Sequence, residues 1–167
     1  AYTVDSDSDL STLDDRLLYL YENGSSVDIA SGALVSNPRY AEIGGETYLM
    51  WYCENSIYAR DIYGNIEAVY TDDSGLMSDD FNVISSESGY AAIIWTATKD
   101  NENKQIQGAI YNPQSGEWSK NVYISDSQND VFYPDGIIND DGSMVLLYNR
   151  TGDQSDLCAT EMVPSYD

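Results

Sequence analysis

Histidine is absent from the 167 residues. That removes the commonest general base, the commonest transition-metal ligand and the Ser-His-Asp triad. Basic residues are scarce: 7 Lys and Arg stand against 29 Asp and Glu, for a formal charge of -22. Phosphate backbones need cationic side chains to displace their counterions, so the chain is not built for nucleic acid or for an anionic membrane surface. The same balance permits cationic partners and divalent metals, and it reads equally as the solubilising surface of a secreted protein. Cysteine occurs twice, at Cys53 and Cys158, and without histidine the pair makes poor zinc ligation. The two read either as separate buried thiols or as one disulfide closing a long loop, and their spacing does not choose. No apolar run approaches the ~20 residues of a membrane helix, and no N-terminal signal is visible. The abrupt opening Ala1-Tyr-Thr reads as a processed product or an excised fragment. No segment carries a convincing amphipathic helical period.

What is present is strand. Hydrophobic residues make up 42% of the chain, enough for a core in one domain. The stretch from Ser88 to Asp126 contains three strand-like runs and two turns. In the first, Tyr90, Ala92, Ile94 and Thr96 alternate with Ala91, Ile93, Trp95 and Ala97, so both faces of that strand are expected to be covered. In the second, polar Gln105 and Gln107 alternate with Ile106, Gly108 and Ile110, which predicts a half-buried strand. Pro113-Gln-Ser-Gly116 supplies turn chemistry before the third. Asn23-Gly24 is a hairpin signal, and Pro134 makes the run from Val131 to Ile138 edge-like or short. Trp51, Ile93, Ile94, Leu146 and Leu147 are the expected core.

Four strong runs align with one another, starting at Leu17, Tyr48, Ala91 and Met144, each apolar and ending near an aromatic. Gly44-Gly45, Gly89 and Gly142 lie shortly upstream of three of them. The later two spacings, roughly 40–50 residues, match the blade of a β-propeller. The expected fold is all-β, built of antiparallel four-stranded meanders and propeller-like, partial or a fragment of a larger ring; a β-sandwich is the alternative. An acidic lead-in over 1–15 would precede a single domain over 16–167, with units near 16–37, 38–87, 88–130 and 131–167.

Two segments carry a resemblance. Tyr111-Asn-Pro-Gln-Ser-Gly-Glu-Trp-Ser119 is similar to the turn into the last blade strand of sialidase-type bacterial propellers, keeping Gly116 and Trp118 but lacking the Asp of their box. Pro134-Asp-Gly-Ile-Ile-Asn-Asp-Asp-Gly-Ser-Met-Val-Leu-Leu-Tyr148 resembles the blade-opening strand pair of five-bladed glycoside hydrolases. In that family the catalytic base is an Asp directly before a Pro; here Tyr133 precedes Pro134 and Asp135 follows it. The resemblance covers about 38–162 and implies an extracellular, carbohydrate-directed propeller of which this chain holds three to four blades, completed by further blades or a partner chain.

Candidate sites follow from chemistry. Paired carboxylates hydrolyse glycosidic bonds, and Asp135 with Glu161, then Glu54 or Asp61, are the candidates, although with so many acidic residues a surface reading is the simpler one. Aromatic rings near turns stack on sugars; Trp118, Tyr133, Tyr111 and Tyr58 are the ligand-binding candidates. Calcium is the one cofactor the composition offers, through loop oxygens of Asp126, Asp130, Asp140 and Asp141, and no loop has a specific calcium spacing. Asp5-Ser-Asp-Ser-Asp9 resembles the start of a calcium loop but has Leu10 where Gly is needed and Arg16 where the bidentate Glu belongs. The expected function is an extracellular or cell-surface binding or structural module, contacting glycan or protein through loop aromatics, with no assigned catalytic residue, no nucleic-acid partner and no membrane insertion. A fragment of a carboxylate-using propeller enzyme and an adhesin completed by partner strands are the alternatives.

Overall fold

The computed structural model describes residues 1–7, 15–32, 34–72, 77–98, 103–125, 128–152 and 155–163. Among them no helix occurs, and none is therefore long and apolar enough to cross a membrane. Fifteen strands form four antiparallel sheets in chain order. The first sheet holds β1 (Tyr2–Asp5), β2 (Arg16–Glu22) and β3 (Ser25–Gly32). The second is β4 (Ser36–Ile43), β5 (Glu46–Cys53), β6 (Ser56–Arg60) and β7 (Ile66–Thr71). The third contains β8 (Asn82–Ser85), β9 (Ala91–Thr98), β10 (Lys104–Asn112), β11 (Glu117–Trp118) and β12 (Val122–Tyr123). The fourth is β13 (Val131–Ile138), β14 (Met144–Arg150) and β15 (Asp156–Met162). The expected all-β fold of antiparallel meanders is what the chain adopts. The acidic lead-in contributes a strand of its own, β1 pairing with β2, and residues 82–85 pair with β9, in the third sheet.

Local chemistry sets the hairpins. Asn23 and Gly24 both take positive φ, 51° and 84°, the conformation a two-residue turn between twisted strands requires. Gly44 and Gly89 bring the turns of the second and third sheets together: the Gly44 amide donates to the Gly89 carbonyl at 3.1 Å, and a Cβ on Gly89 would stand 3.3 Å from the Gly44 Cα.

Each sheet packs on the next one in the chain. Leu18 and Leu20 of β2 meet Leu49, Trp51 and Cys53 of β5. The other face of β5, Met50 and Tyr52, meets Ala91, Ile93, Trp95 and Ala97 of β9. Ala92 and Ile94, on the far side of β9, meet Met144 and Leu146 of β14. This is why β5 and β9 are apolar without alternation: the period-2 faces are both covered. The first strands of successive sheets also touch, β1 with β4, β4 with β8 and β8 with β13, which sets the sheets radially about a common line in propeller fashion.

Two expectations are corrected. Leu147 is not core; it is 41% exposed, because it points to the far side of β14, where no described element follows, alongside exposed Ile137 and Leu157. Strand β10 is not half-buried. Gln105 and Gln107 are buried together with Ile106, Gly108 and Ala109, their amide oxygens accepting from Ser125 Oγ at 2.9 Å and Asn121 Nδ2 at 3.0 Å, so the polar face is satisfied internally. Cys53 faces the first sheet and Cys158 lies in the fourth; both are thiols, with burial pushing the Cys53 pKa up.

Candidate functional site

The site is built at the beginnings of three strands. Each of β4, β8 and β13 is the first strand of its sheet, and each opens on a similar segment: Ser36-Asn-Pro-Arg39, Asp79-Asp-Phe-Asn82 and Phe132-Tyr-Pro-Asp135. In β4 and β13 the residue before proline stands at φ 55°, and the pairing register slips at the same place, between Ser36 and Arg39 and between Phe132 and Asp135. A proline lacks the amide for the ladder, so the strand bulges there and turns its neighbours out of the sheet. The bulges and the β8 lead-in line an open pocket of about 590 Å³, bounded by Asn37, Arg39, Asp79, Asn82, Tyr133 and Asp135.

A chain of hydrogen bonds crosses the pocket wall from sheet to sheet. Arg39 Nη1 donates to Asn82 Oδ1 at 3.1 Å, and Asn82 Nδ2 donates to Asp135 Oδ1 at 2.7 Å, an oxygen that also accepts from the Gly136 amide at 2.8 Å. Ser36 Oγ donates to Asp79 Oδ2 at 2.9 Å, and Asn37 Nδ2 reaches the Asp79 carbonyl at 2.8 Å. Arg39 also lies over the Phe81 ring, 5.9 Å from its centre. These ties fix the directions of the side chains that face the pocket. Asp80 is engaged elsewhere, since its Oδ1 accepts from Ser78 Oγ and Thr96 Oγ1 and so fastens the segment before β8 to β9. Tyr133 is 71% exposed, and its ring stands at the pocket.

The predicted residues scatter. Of the four aromatics, Tyr133 alone lines this pocket. Tyr111 and Trp118 pair across β10 and β11 edge-to-face at 5.5 Å and pack against the core between the second and third sheets. Tyr58 stacks on Trp51 at 5.8 Å. Asp135 is joined in the pocket by Asp79 and Asp80, not by Glu161 on β15, Glu54 in the β5–β6 turn or Asp61 after β6. Asp126 lies outside the described residues. Asp130 and the Asp140–Asp141 pair flank opposite ends of β13. Each is engaged by a backbone amide: Asp130 accepts from Lys104 of β10 at 2.7 Å and Asp140 from Ser88, ahead of β9, at 3.0 Å, while Asp141 accepts locally from Ser143 at 2.9 Å. Ser143 holds the Asp141 carboxyl below the usual carboxylate range.

In the lead-in, the carboxylates of Asp5, Asp7 and Asp15 come within 4.8 Å of one another and could hold a cation. Ser6 Oγ and the Asp7 amide donate to Asp15 Oδ2 at 2.6 and 3.1 Å, the Ser6 bond chiefly lowering its pKa, and these bonds account for part of the clustering. Residues 8–14, which carry the rest of the calcium-like motif, lie outside the described residues.

Asn37, Arg39, Asp79 and Asn82 were not legible as site residues from composition or motif. The signal that points to them is positional: X-Pro pairs at Asn37-Pro38 and Tyr133-Pro134, each near the start of the first strand of its sheet.

Fold and site together define an all-β chain of radially packed antiparallel meanders, propeller-like, with a polar pocket where its first strands converge. No protein-family profile matches the chain, and no curated protein is similar to it. Among solved structures it is similar to an endo-arabinase from Bacteroides thetaiotaomicron VPI-5482, with a TM-score of 0.55 at 11% identity. The match covers 90% of this chain and 66% of the endo-arabinase, just under two thirds of that protein's length. At that identity the likeness is one of fold.

Proposed function

We propose that this chain is an extracellular glycan-binding module whose ligand occupies the pocket between β4, β8 and β13. One observation carries the reading: the relay Arg39–Asn82–Asp135, tying three sheets around a pocket that has a single projecting ring, Tyr133. Amide, guanidinium and carboxylate groups held in fixed directions suit vicinal hydroxyls, and a tyrosine ring suits the apolar face of a sugar. The net charge of -22 favours a neutral ligand over uronates or phosphates. The fold shared with an endo-arabinase makes an arabinose-containing oligosaccharide the first ligand to try.

The same pocket gathers Asp79, Asp80 and Asp135, which supports a second reading, hydrolysis by a carboxylate pair. Calorimetry and a turnover assay on soluble arabinan separate the two. Binding without hydrolysis, weakened about tenfold by Tyr133→Ala, is the expected result. Hydrolysis that Asp135→Asn abolishes would establish the enzyme instead.

A further inference from the structure

We infer that the chain carries a second saccharide-binding groove, separate from the pocket, between the first and second sheets. Here the two sheets diverge beyond Leu20 and Leu49, leaving a groove of about 210 Å³. Its floor is apolar, since Leu20 and Leu49 are both buried in the core that joins the sheets. Tyr40, Leu49 and Arg60 stand directly opposite one another across β4, β5 and β6, so a ring, an aliphatic side chain and a guanidinium form one row on the face turned to the first sheet. Tyr40, 61% exposed, lines the groove. Asp61, whose carboxylate accepts from the amides of Tyr63 and Asn65 at 2.8 Å each, is fixed at the opposite rim.

Those features select the ligand class. An exposed tyrosine ring beside an apolar floor, with a guanidinium and a carboxylate at hand, matches the two sides of a sugar, one apolar and one hydroxylated. A peptide adding to a strand would need an open ladder, whereas β2 and β5, which supply the floor, are both paired on each side. Arg60 is set against Asp61 and Glu22 in the lining, so the groove gives no preference to an anion. The ligand is therefore a neutral oligosaccharide. Arg39 and Tyr40 are neighbours on β4: the first faces the pocket and the second the groove, so one strand serves both. Two sites on one rigid strand suit a chain-like polysaccharide, where a second contact adds avidity.

The inference rests on the glycan reading of the pocket, and the experiment keeps them apart. The full chain is titrated with a neutral arabino-oligosaccharide and, in parallel, a neutral gluco-oligosaccharide, by calorimetry and by amide shifts in NMR. The expected result is two classes of site for at least one probe. Tyr40→Ala and, independently, Arg60→Ala should weaken one class by about tenfold, as for loss of one stacked ring or one charged hydrogen bond, with no change in the circular dichroism spectrum. Tyr133→Ala combined with Asp135→Asn should remove the other class alone. If that double variant changes nothing while Tyr40→Ala does, the groove stands and the pocket reading falls. A single class insensitive to Tyr40→Ala and Arg60→Ala, or no binding of either probe, overturns the groove.

Discussion

A tyrosine at φ 55° is a strained residue. The left-handed region brings Cβ against the following carbonyl, at about 1–2 kcal/mol for a side chain other than glycine or asparagine. Asn37 occupies the same conformation at the matching place in the second sheet, where its short amide bonds to the Asp79 and Phe81 carbonyls. Burial does not offset the strain at Tyr133, because its ring is mostly exposed, at the pocket. Strain of this kind persists where the residue is needed for something else. Tyr133→Asn should therefore raise stability by about 1 kcal/mol, a gain of roughly 2–4 °C in Tm for a chain of this size, while the affinity proposed for glycan falls. Thermal unfolding and calorimetry on one variant check both halves, and a drop in Tm would show the backbone is not strained there.

At the scale of single elements, carboxylates hold the turns. Asp61 accepts from the Asn65 side chain at 2.7 Å and from the amides of Tyr63 and Asn65, and these bonds, the Asn65 side chain first, hold its pKa below the usual range. Asp141 is lowered by Ser143 in the β13–β14 turn. A carboxyl whose folded pKa is depressed contributes stability above its unfolded value, near pH 4, and that contribution is lost as pH falls through the lower folded value. Protection of the Tyr63, Asn65 and Ser143 amides, taken relative to their intrinsic exchange rates at each pH, should fall locally below about pH 4 while amides of β9 stay protected. Asp61→Asn should bring the β6–β7 turn to its acid behaviour at neutral pH; equal protection factors at both pH values in the parent would refute the assignment.

The elements are also where the sequence is most and least informative. The run Ala91–Thr98 announces a strand covered on both faces, and it is one. Met144–Arg150 reads almost the same, yet Leu147 is exposed and Leu146 buried. A strand's own residues record that both faces are apolar; whether a neighbour lies on each depends on what the rest of the chain supplies. The buried glutamines of β10 misled for the complementary reason, since Asn121 and Ser125, which satisfy them, flank β12, a two-residue strand that gives little signal in the sequence. The pocket was legible only at Tyr133 and Asp135. Asn37 and Asn82 look like turn residues, and their role arises from three sheets meeting, a relation no local motif encodes.

Taken whole, the molecule is strongly acidic yet bears apolar surface at both ends of its series of sheets. On the fourth sheet, Ile137, Leu147 and Leu157 are exposed; on the first, Tyr2, Val4 and Tyr21. Patches of this kind bind apolar probes even on a folded protein. The native chain at neutral pH should enhance the fluorescence of a hydrophobic dye, and Leu147→Lys with Leu157→Lys should reduce the signal without shifting the far-ultraviolet spectrum. A native chain that leaves the dye dark would mean these faces are covered in solution.

The substantial contacts between sheets join sheets that are neighbours in the chain, and strand pairing stays within each meander. A polypeptide leaving the ribosome would thus finish one meander before the next is made, and every new one would find its seat already built. The order of synthesis and the order of assembly coincide. The pocket is the exception: its walls come from the second, third and fourth sheets, so it closes only when Asp135 emerges and meets Asn82. The pocket is thus a feature that no single meander possesses and that the nascent chain acquires only by assembly.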